Sequence, residues 1–202
     1  MTEQQAAAGK RAAQGRATRG QLIEVATRLF AENGYEGTSI EAVLTAAGVS
    51  RGALYHHFVG KEALFEAVVS AITDRVTVEL TEVISGCTDP VDAMRTGALA
   101  WIGLAADPVI QRVVLVDAPS VLGWERWRTM DNGQMLGAMK AMLQAVSDSG
   151  RLPSDLVDPF AHMILAALDE FALVVARAPD SKTAVAKGRR AVEELLDRLL
   201  RP

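Results

Sequence analysis

Apolar residues recur at helical rather than strand spacing from one end of the chain to the other. Leu22, Ala26, Leu29 and Phe30 share one face of a helix expected to start near Thr18 and to stop at Gly34. Thr18 and Gln21 have the spacing of a capping box, and Gly34 suits a helix stop. A second box, Thr38 with Glu41, opens a short helix carrying Ile40, Val43, Leu44 and Ala47. Gly48 ends it and Ser50 is placed to cap the next, which covers about 51–57. A fourth helix is expected from Lys61 to about Ser85, striped by Leu64, Val68, Ile72, Val76 and Leu80. At 1.5 Å per residue it is a rod about 35 Å long, enough to join two domains.

Beyond it, prolines punctuate the chain where helices should begin, and the pattern predicts segments at 91–106, 108–117, 120–148, 159–178 and 182–200. Asp107-Pro108 and Asp158-Pro159 each set a capping residue before a first-turn proline. No run of alternating β-branched residues bounded by turns interrupts this series. The expectation is an all-α protein. Residues 1–17 are read as a disordered basic arm and 18–64 as a three-helix helix-turn-helix domain for DNA. The fourth helix is the connector, and 65–202 form a helical ligand-binding and dimerisation domain.

Composition narrows the setting. Residues 1–17 lack the apolar core of a signal peptide, no stretch reads as a bilayer span, and a cytoplasmic protein with no membrane partner is expected. The one cysteine, Cys87, cannot form an internal disulfide and reads as an inert thiol. Net charge is −4, which by itself argues against a nucleic-acid partner. Its distribution reverses that argument. Lys10, Arg11, Arg16 and Arg19 stand against Glu3 in the first twenty residues, while 14 basic and 18 acidic residues follow position 70.

The short helix after Ser50 carries the candidate chemistry. Arg51, Ala53 and His56 point away from the packing residues Leu54 and Phe58. Arg51 suits a bidentate contact with guanine or a phosphate contact, and Ala53 leaves room for a thymine methyl. His56 can read a base edge or touch phosphate, and Gly52 permits close approach of the backbone. Ser50, as the cap, sits at the DNA-facing start of this helix. Thr38, Tyr55, His57 and Lys61 are candidates to position the backbone through phosphate oxygens, although Tyr55 and His57 could also close a small core. Adjacent histidines point about 100° apart on a helix and no further ligand lies at metal spacing, so neither metal nor cofactor is expected.

From Phe30 to Leu64 the chain reads FAENGYEGTSIEAVLTAAGVSRGALYHHFVGKEAL. This block resembles the DNA-binding domain of the tetracycline-repressor (TetR) family through Phe30, Gly34-Tyr35, Thr38, Ala47-Gly48-Val49-Ser50, Gly52, Leu54-Tyr55, His57-Phe58 and Lys61-Glu62-Leu64. It departs from the family pattern at Leu44, where a small Ala is usual. The resemblance covers the first third of the chain. It implies a homodimer on double-stranded palindromic operator DNA, with a C-terminal part that takes a small-molecule effector.

Two further expectations follow for that C-terminal part. The helices at 159–178 and 182–200 carry apolar stripes (Phe160, Ile164, Leu168, Phe171, Val175; Val185, Val192, Leu196, Leu199) that suit a two-fold four-helix interface. Trp101, Trp124, Trp127, Met130, Met139 and Met142 are the large adaptable residues from which a pocket could be lined, joined by His162 and Asp169 on one helix stripe. Asp169 and Glu170 are open to three readings: facing solvent, pairing across the dimer or contacting an effector, with structural pairing favoured over ligand contact. The other class of function, a small helical enzyme or carrier, finds no support: there is no glycine-rich phosphate loop and no Ser-His-Asp grouping, and the chain has three histidines. An effector-independent repressor or an activator stays open at this stage.

Overall fold

A computed structural model describes the backbone of residues 3–199 and the side chains of these residues, apart from 3–8, 10–11 and 131–134. The described residues are helical, with no strand among them. In order they form α1 (Glu3–Gly37), α2 (Ile40–Ala47), α3 (Arg51–His57), α4 (Lys61–Ile84) and α5 (Pro90–Leu104). A π-helix (Ile110–Asp117) leads into α6 (Ala118–Leu122), followed by α7 (Trp124–Asp148), a 3-10 turn (Ser154–Leu156), α8 (Val157–Arg177) and α9 (Ser181–Leu199). Two compact units divide the chain, Met1–Ala71 and Ile72–Pro202, and the division falls within α4.

In the first unit, Leu22, Ala26 and Phe30 of α1, Val43 of α2, Leu54 of α3 and Leu64, Phe65 and Val68 of α4 form the core, all essentially inaccessible. Phe30 and Phe65 meet edge to face at 5.0 Å, and Tyr35 closes the cluster at 4.9 Å from Phe65. The first helix is longer than its capping signal suggests. The expected arm is helical from Glu3, because Ala6, Ala7, Ala8, Ala12, Ala13 and Ala17 carry high helix propensity; residues 1 and 2 of that arm, and Leu200 of the last segment, lie outside the described residues. Thr18 is therefore mid-helix, and its hydroxyl donates to the Gln14 carbonyl at 3.0 Å. Gln21, instead of completing a box, donates to the Ala47 carbonyl at 2.9 Å and ties α1 to the end of α2. Helical dihedrals break at Gly34 (φ 73°, ψ 173°), as the sequence indicated.

The second unit differs from its expected segments in three places. The stretch 108–122 is one helical run with a π-helical centre, started by Asp107, which accepts from the amides of Val109 and Ile110. Gly123, at φ 82° and ψ 150°, then separates α6 from α7 within what reads as one segment; a side chain there would be strained. Asp158 does not cap α8, which begins at Val157 after the 3-10 turn; Asp158 pairs instead with Lys140.

The stripes assigned to a dimer interface are largely spent inside the unit. Ile164, Leu168 and Val175 of α8 and Val192 and Leu196 of α9 are buried, because α8 packs against α5, α7 and α9. Gly188 lets α9 approach closely: a β-carbon there would stand 3.2 Å from Ile102 Cγ2. The apolar residues that stay exposed on these helices are others, Met163, Val174 and Leu195. Contrary to the expectation that no stretch reads as a bilayer span, residues Ser154–Arg177 have the length and composition of one, at a mean hydropathy of 1.6. Their buried face is the core of the unit.

Asp89 shows how this unit is pinned. Its Oδ1 caps α5 by accepting from the Val91 and Asp92 amides at 2.8 and 3.2 Å, while Oδ2 accepts from Arg151 at 2.9 Å. The Arg151 hydrogen bond, with the two capping amides, holds its carboxyl below the usual range. A depressed carboxylate stabilises the fold above its unfolded-state value, and that contribution is lost as pH falls through the folded value. Asp89→Ala should therefore lower the thermal midpoint at neutral pH. The gap to wild type should close as the pH drops through and below the ordinary carboxylate range, measured by circular dichroism.

Candidate nucleic-acid interface and ligand cavity

The turn between α2 and α3 is built from hydrogen bonds that its sequence makes available. Ser39, rather than Thr38, caps α2 by accepting from the Ala42 amide at 3.1 Å. Gly48 adopts φ 63° and ψ 30°, a left-handed conformation that glycine enters without a Cβ clash, and the next amide, Val49, bonds back to the Leu44 carbonyl at 3.2 Å. Ser50 then caps α3, its hydroxyl oxygen accepting from the Ala53 amide at 3.3 Å. Leu44, the departure from the family pattern, is half-buried on α2.

This turn fixes what α3 shows to solvent. Leu54 is fully buried and Phe58 nearly so, whereas Arg51, Gly52, Tyr55 and His56 are exposed and Ala53 and His57 half-exposed. Tyr55 is 47% accessible, which removes it from any core. Arg51 forms an ion pair with Glu41 of α2, and both side chains stay more than half exposed. Glu41 was legible only as part of a capping box, so its place beside Arg51 is new. Lys61 Nζ stands 4.0 Å from the centre of the Tyr35 ring and is half-buried. The Arg19 guanidinium lies 5.4 Å from the Phe58 ring centre, and Gly15 approaches His57, so part of basic α1 runs beside the end of α3.

One candidate contact is overturned. Thr38 is 2% accessible, and its hydroxyl is turned inward to the carbonyls of Gly34 and Leu29, at 2.9 and 3.1 Å. It closes the bend after α1 and cannot donate to a phosphate. The sequence places an identical Thr at a cap or inside a bend equally well; only the neighbouring Ser39 decides.

The second unit holds a partly open cavity of about 80 Å³, several times the room one water needs. Its walls come from α4 (Ile72 to Ile84), α5, the π-helix, α7 and α8. Trp101, Met139, Met142 and Asp169 line it as expected positions, with Met135 and the threonine ladder Thr73, Thr77 and Thr81 added by the structure. The ladder is visible in the sequence as an i, i+4, i+8 repeat, but mid-helix threonines carry no signal of facing a cavity.

The remaining expected lining residues lie elsewhere. Trp127 is buried in its own core with its Nε1 unpaired, and Trp124 packs on it at 4.9 Å while remaining half exposed. Trp124 and His162 flank a shallow surface groove with Glu125 and Arg128. His162 is close to Asp158 (3.8 Å), not Asp169, and Met130 lines neither hollow. Glu170 is exposed on α8. Among the described residues no cluster of three His, Cys, Asp or Glu side chains could hold a metal ion.

A helix-turn-helix unit presenting a polar short helix, followed by an all-helical unit around an apolar cavity, defines a regulator class in which one half meets DNA and the other a ligand. Residues 22–68 match the family model for bacterial regulatory proteins of the tetR family, and 91–199, more than half the chain, match the tetracyclin repressor-like C-terminal domain. The chain belongs to the tetR family of regulators. A solved TetR-family transcriptional regulator from Pectobacterium atrosepticum is similar over 94% of this chain and 97% of its own, at 31% identity and a TM-score of 0.84. The HTH-type transcriptional repressor AcnR of Corynebacterium efficiens is 29% identical over 73% of this chain and 76% of its own length. The regulator UidR of Escherichia coli is 36% identical over 34% of this chain, a match that spans about a third (35%) of UidR's length.

Proposed function

We propose that the protein is a homodimeric, cytoplasmic transcriptional repressor that holds a palindromic operator through α3 and releases it when a small molecule fills the α4–α8 cavity. The observation that carries the reading is the division of α3: Leu54 and Phe58 are anchored in the core while Arg51, Tyr55 and His56 stay outside. Anchoring fixes the helix as a rigid reader, and the exposed groups are those that pair with base edges and phosphate. Arg51, Ala53 and His56 are the base readers in this account. Ser50, Gly52, Tyr55, His57 and Lys61 set the register on the phosphate backbone.

Release is a matter of differential binding. Leu64, Phe65 and Val68 of α4 belong to the first unit's core, and Ile72, Val76, Leu80 and Ile84 line the cavity in the second. A molecule that favours one placement of α4 biases the spacing of two recognition helices, which must sit about 34–36 Å apart to enter successive major grooves. A reporter under the chain's own upstream region tests the reading: expression should fall when the protein is supplied. Unchanged or increased expression would count against repression.

Dimerisation rests on the apolar residues that α8 and α9 leave uncovered. Met163 is 62% and Val174 52% accessible, and with Ala167 they form an i, i+4, i+11 line on α8, while Leu195 is the exposed large apolar residue of α9. A second copy related by a two-fold axis would cover this line. Met163→Asp with Val174→Asp should raise the dimer dissociation constant at least tenfold in sedimentation equilibrium while leaving the helical circular dichroism intact. A dimer of unchanged strength would place the interface elsewhere.

A further inference from the structure

Between Thr38 and Gly60, the stretch that builds α2, the turn and α3, the chain has one acid, Glu41, and one lysine or arginine, Arg51. The fold brings these two together, Glu41 Oε1 accepting from Arg51 Nη2. Neither is explained by the helix that carries it. Ser39 already caps α2, so Glu41 is not needed there. Arg51 opens α3, where the positive end of the helix opposes a cation. Both side chains stay more than half exposed, so packing does not account for them either. A carboxylate on a face turned to phosphate also weakens binding to every duplex.

Resting on the reading of α3 as the operator helix with Arg51 as a base reader, we propose that Glu41 is a specificity-determining residue that holds the Arg51 guanidinium off phosphate and yields it to guanine. A guanidinium carries five N–H donors, so one carboxylate oxygen at Nη2 leaves donors for a base edge. An exposed ion pair contributes less than a bidentate contact with guanine, so the base wins the fork where the sequence offers it. A lone phosphate offers a charged contact of the same kind as Glu41, and the exchange gains little. Paired, the two side chains present no net charge to random duplex. Unpaired, Arg51 is a further cation near phosphate, which strengthens binding without regard to sequence. Glu41 therefore acts against the wrong duplex more than for the right one.

Fluorescence anisotropy of full-length Glu41→Gln tests this on two duplexes, one from the chain's own upstream region and one of random sequence, each over a series of salt concentrations. Glutamine keeps the size and an acceptor oxygen and removes only the charge. On random duplex the slope of log affinity against log salt should steepen by about one, and the preference for the upstream duplex should fall by about threefold or more. Adding Arg51→Ala to Glu41→Gln should return the random-duplex slope to the wild-type value, because the freed cation is gone. Folding is checked by circular dichroism; should the glutamine variant fail, Glu41→Ala carries the same expectations. An unchanged slope and preference in the folded variant overturns the proposal. So does an equal gain on both duplexes, or a steepened slope that survives in the double variant, since either makes Glu41 a repelling charge that does not act through Arg51. Arg51→Ala alone separates the two readings. If it keeps the wild-type preference, or if wild type shows none, the reading of α3 falls and the proposal with it; if its preference drops while Glu41→Gln behaves as wild type, the proposal alone is lost.

Discussion

Replacing Phe65 by Ala should unfold the DNA-binding unit at physiological temperature or bring it to the edge of unfolding. Phe65 has no accessible surface and meets Phe30 and Tyr35 at 5.0 and 4.9 Å. Removing a buried aromatic ring costs about 3–5 kcal/mol, part of it lost transfer energy and part the cavity left behind. A small domain holds only about 5–15 kcal/mol in total, so the loss consumes a large share. The same ring lies against Tyr35, which in turn carries Lys61 over its face at 4.0 Å. Duplex binding should therefore fall with stability. Phe65→Leu, which keeps most of the volume, should restore much of both. The check is urea denaturation followed by circular dichroism, beside a gel shift on the same samples. A midpoint unchanged in Phe65→Ala would mean that the aromatic cluster does not hold this unit together.

Arg51→Ala should act on sequence discrimination rather than on stability. Its side chain is 61% exposed, so truncation removes little packing. A bidentate contact with guanine is worth about 1–3 kcal/mol, roughly a tenfold to hundredfold loss of preference for the operator over random duplex. Loss of Arg51 also leaves Glu41 without that partner, which adds repulsion toward phosphate at the proposed interface. Lys61→Ala should behave differently: affinity for every duplex falls alike, and the slope of binding against salt drops by about one. Competition gel shifts at two salt concentrations separate the two outcomes. If Arg51→Ala weakened all duplexes equally, its role would be phosphate contact.

The first unit was largely readable from the sequence because its signals are local. Gly48 at a left-handed position, Ser50 as a cap and Leu54 and Phe58 as anchors each sit where spacing alone puts them. Thr38 failed because a hydroxyl that could cap a helix can equally close the bend before it, and the choice depends on Ser39 taking the cap. The α1 extension failed because alanine propensity outweighed a capping signal at Thr18. In the second unit the helices were predicted but their phase was not. Periodicity within one helix does not say which neighbour each stripe meets, so Trp101, Met139, Met142 and Asp169 reach the cavity while Trp124, Trp127, Met130 and His162 do not. An apolar stripe likewise does not say whether it meets its own chain or a second copy. Ile164 and Leu168 serve the former, and the line through Met163 and Val174 stays exposed, where the proposed dimer would use it.

Selection from a pool of random duplexes with the purified full-length protein is the measurement on which the account stands or falls. The enriched sequences should contain an inverted repeat whose half-site centres lie one helical turn, or a whole multiple of it, apart. Arg51→Ala should enrich a degenerate version of the same repeat. Recovery of a pool no different from its starting composition, or of single unpaired sites with no symmetry, would contradict it.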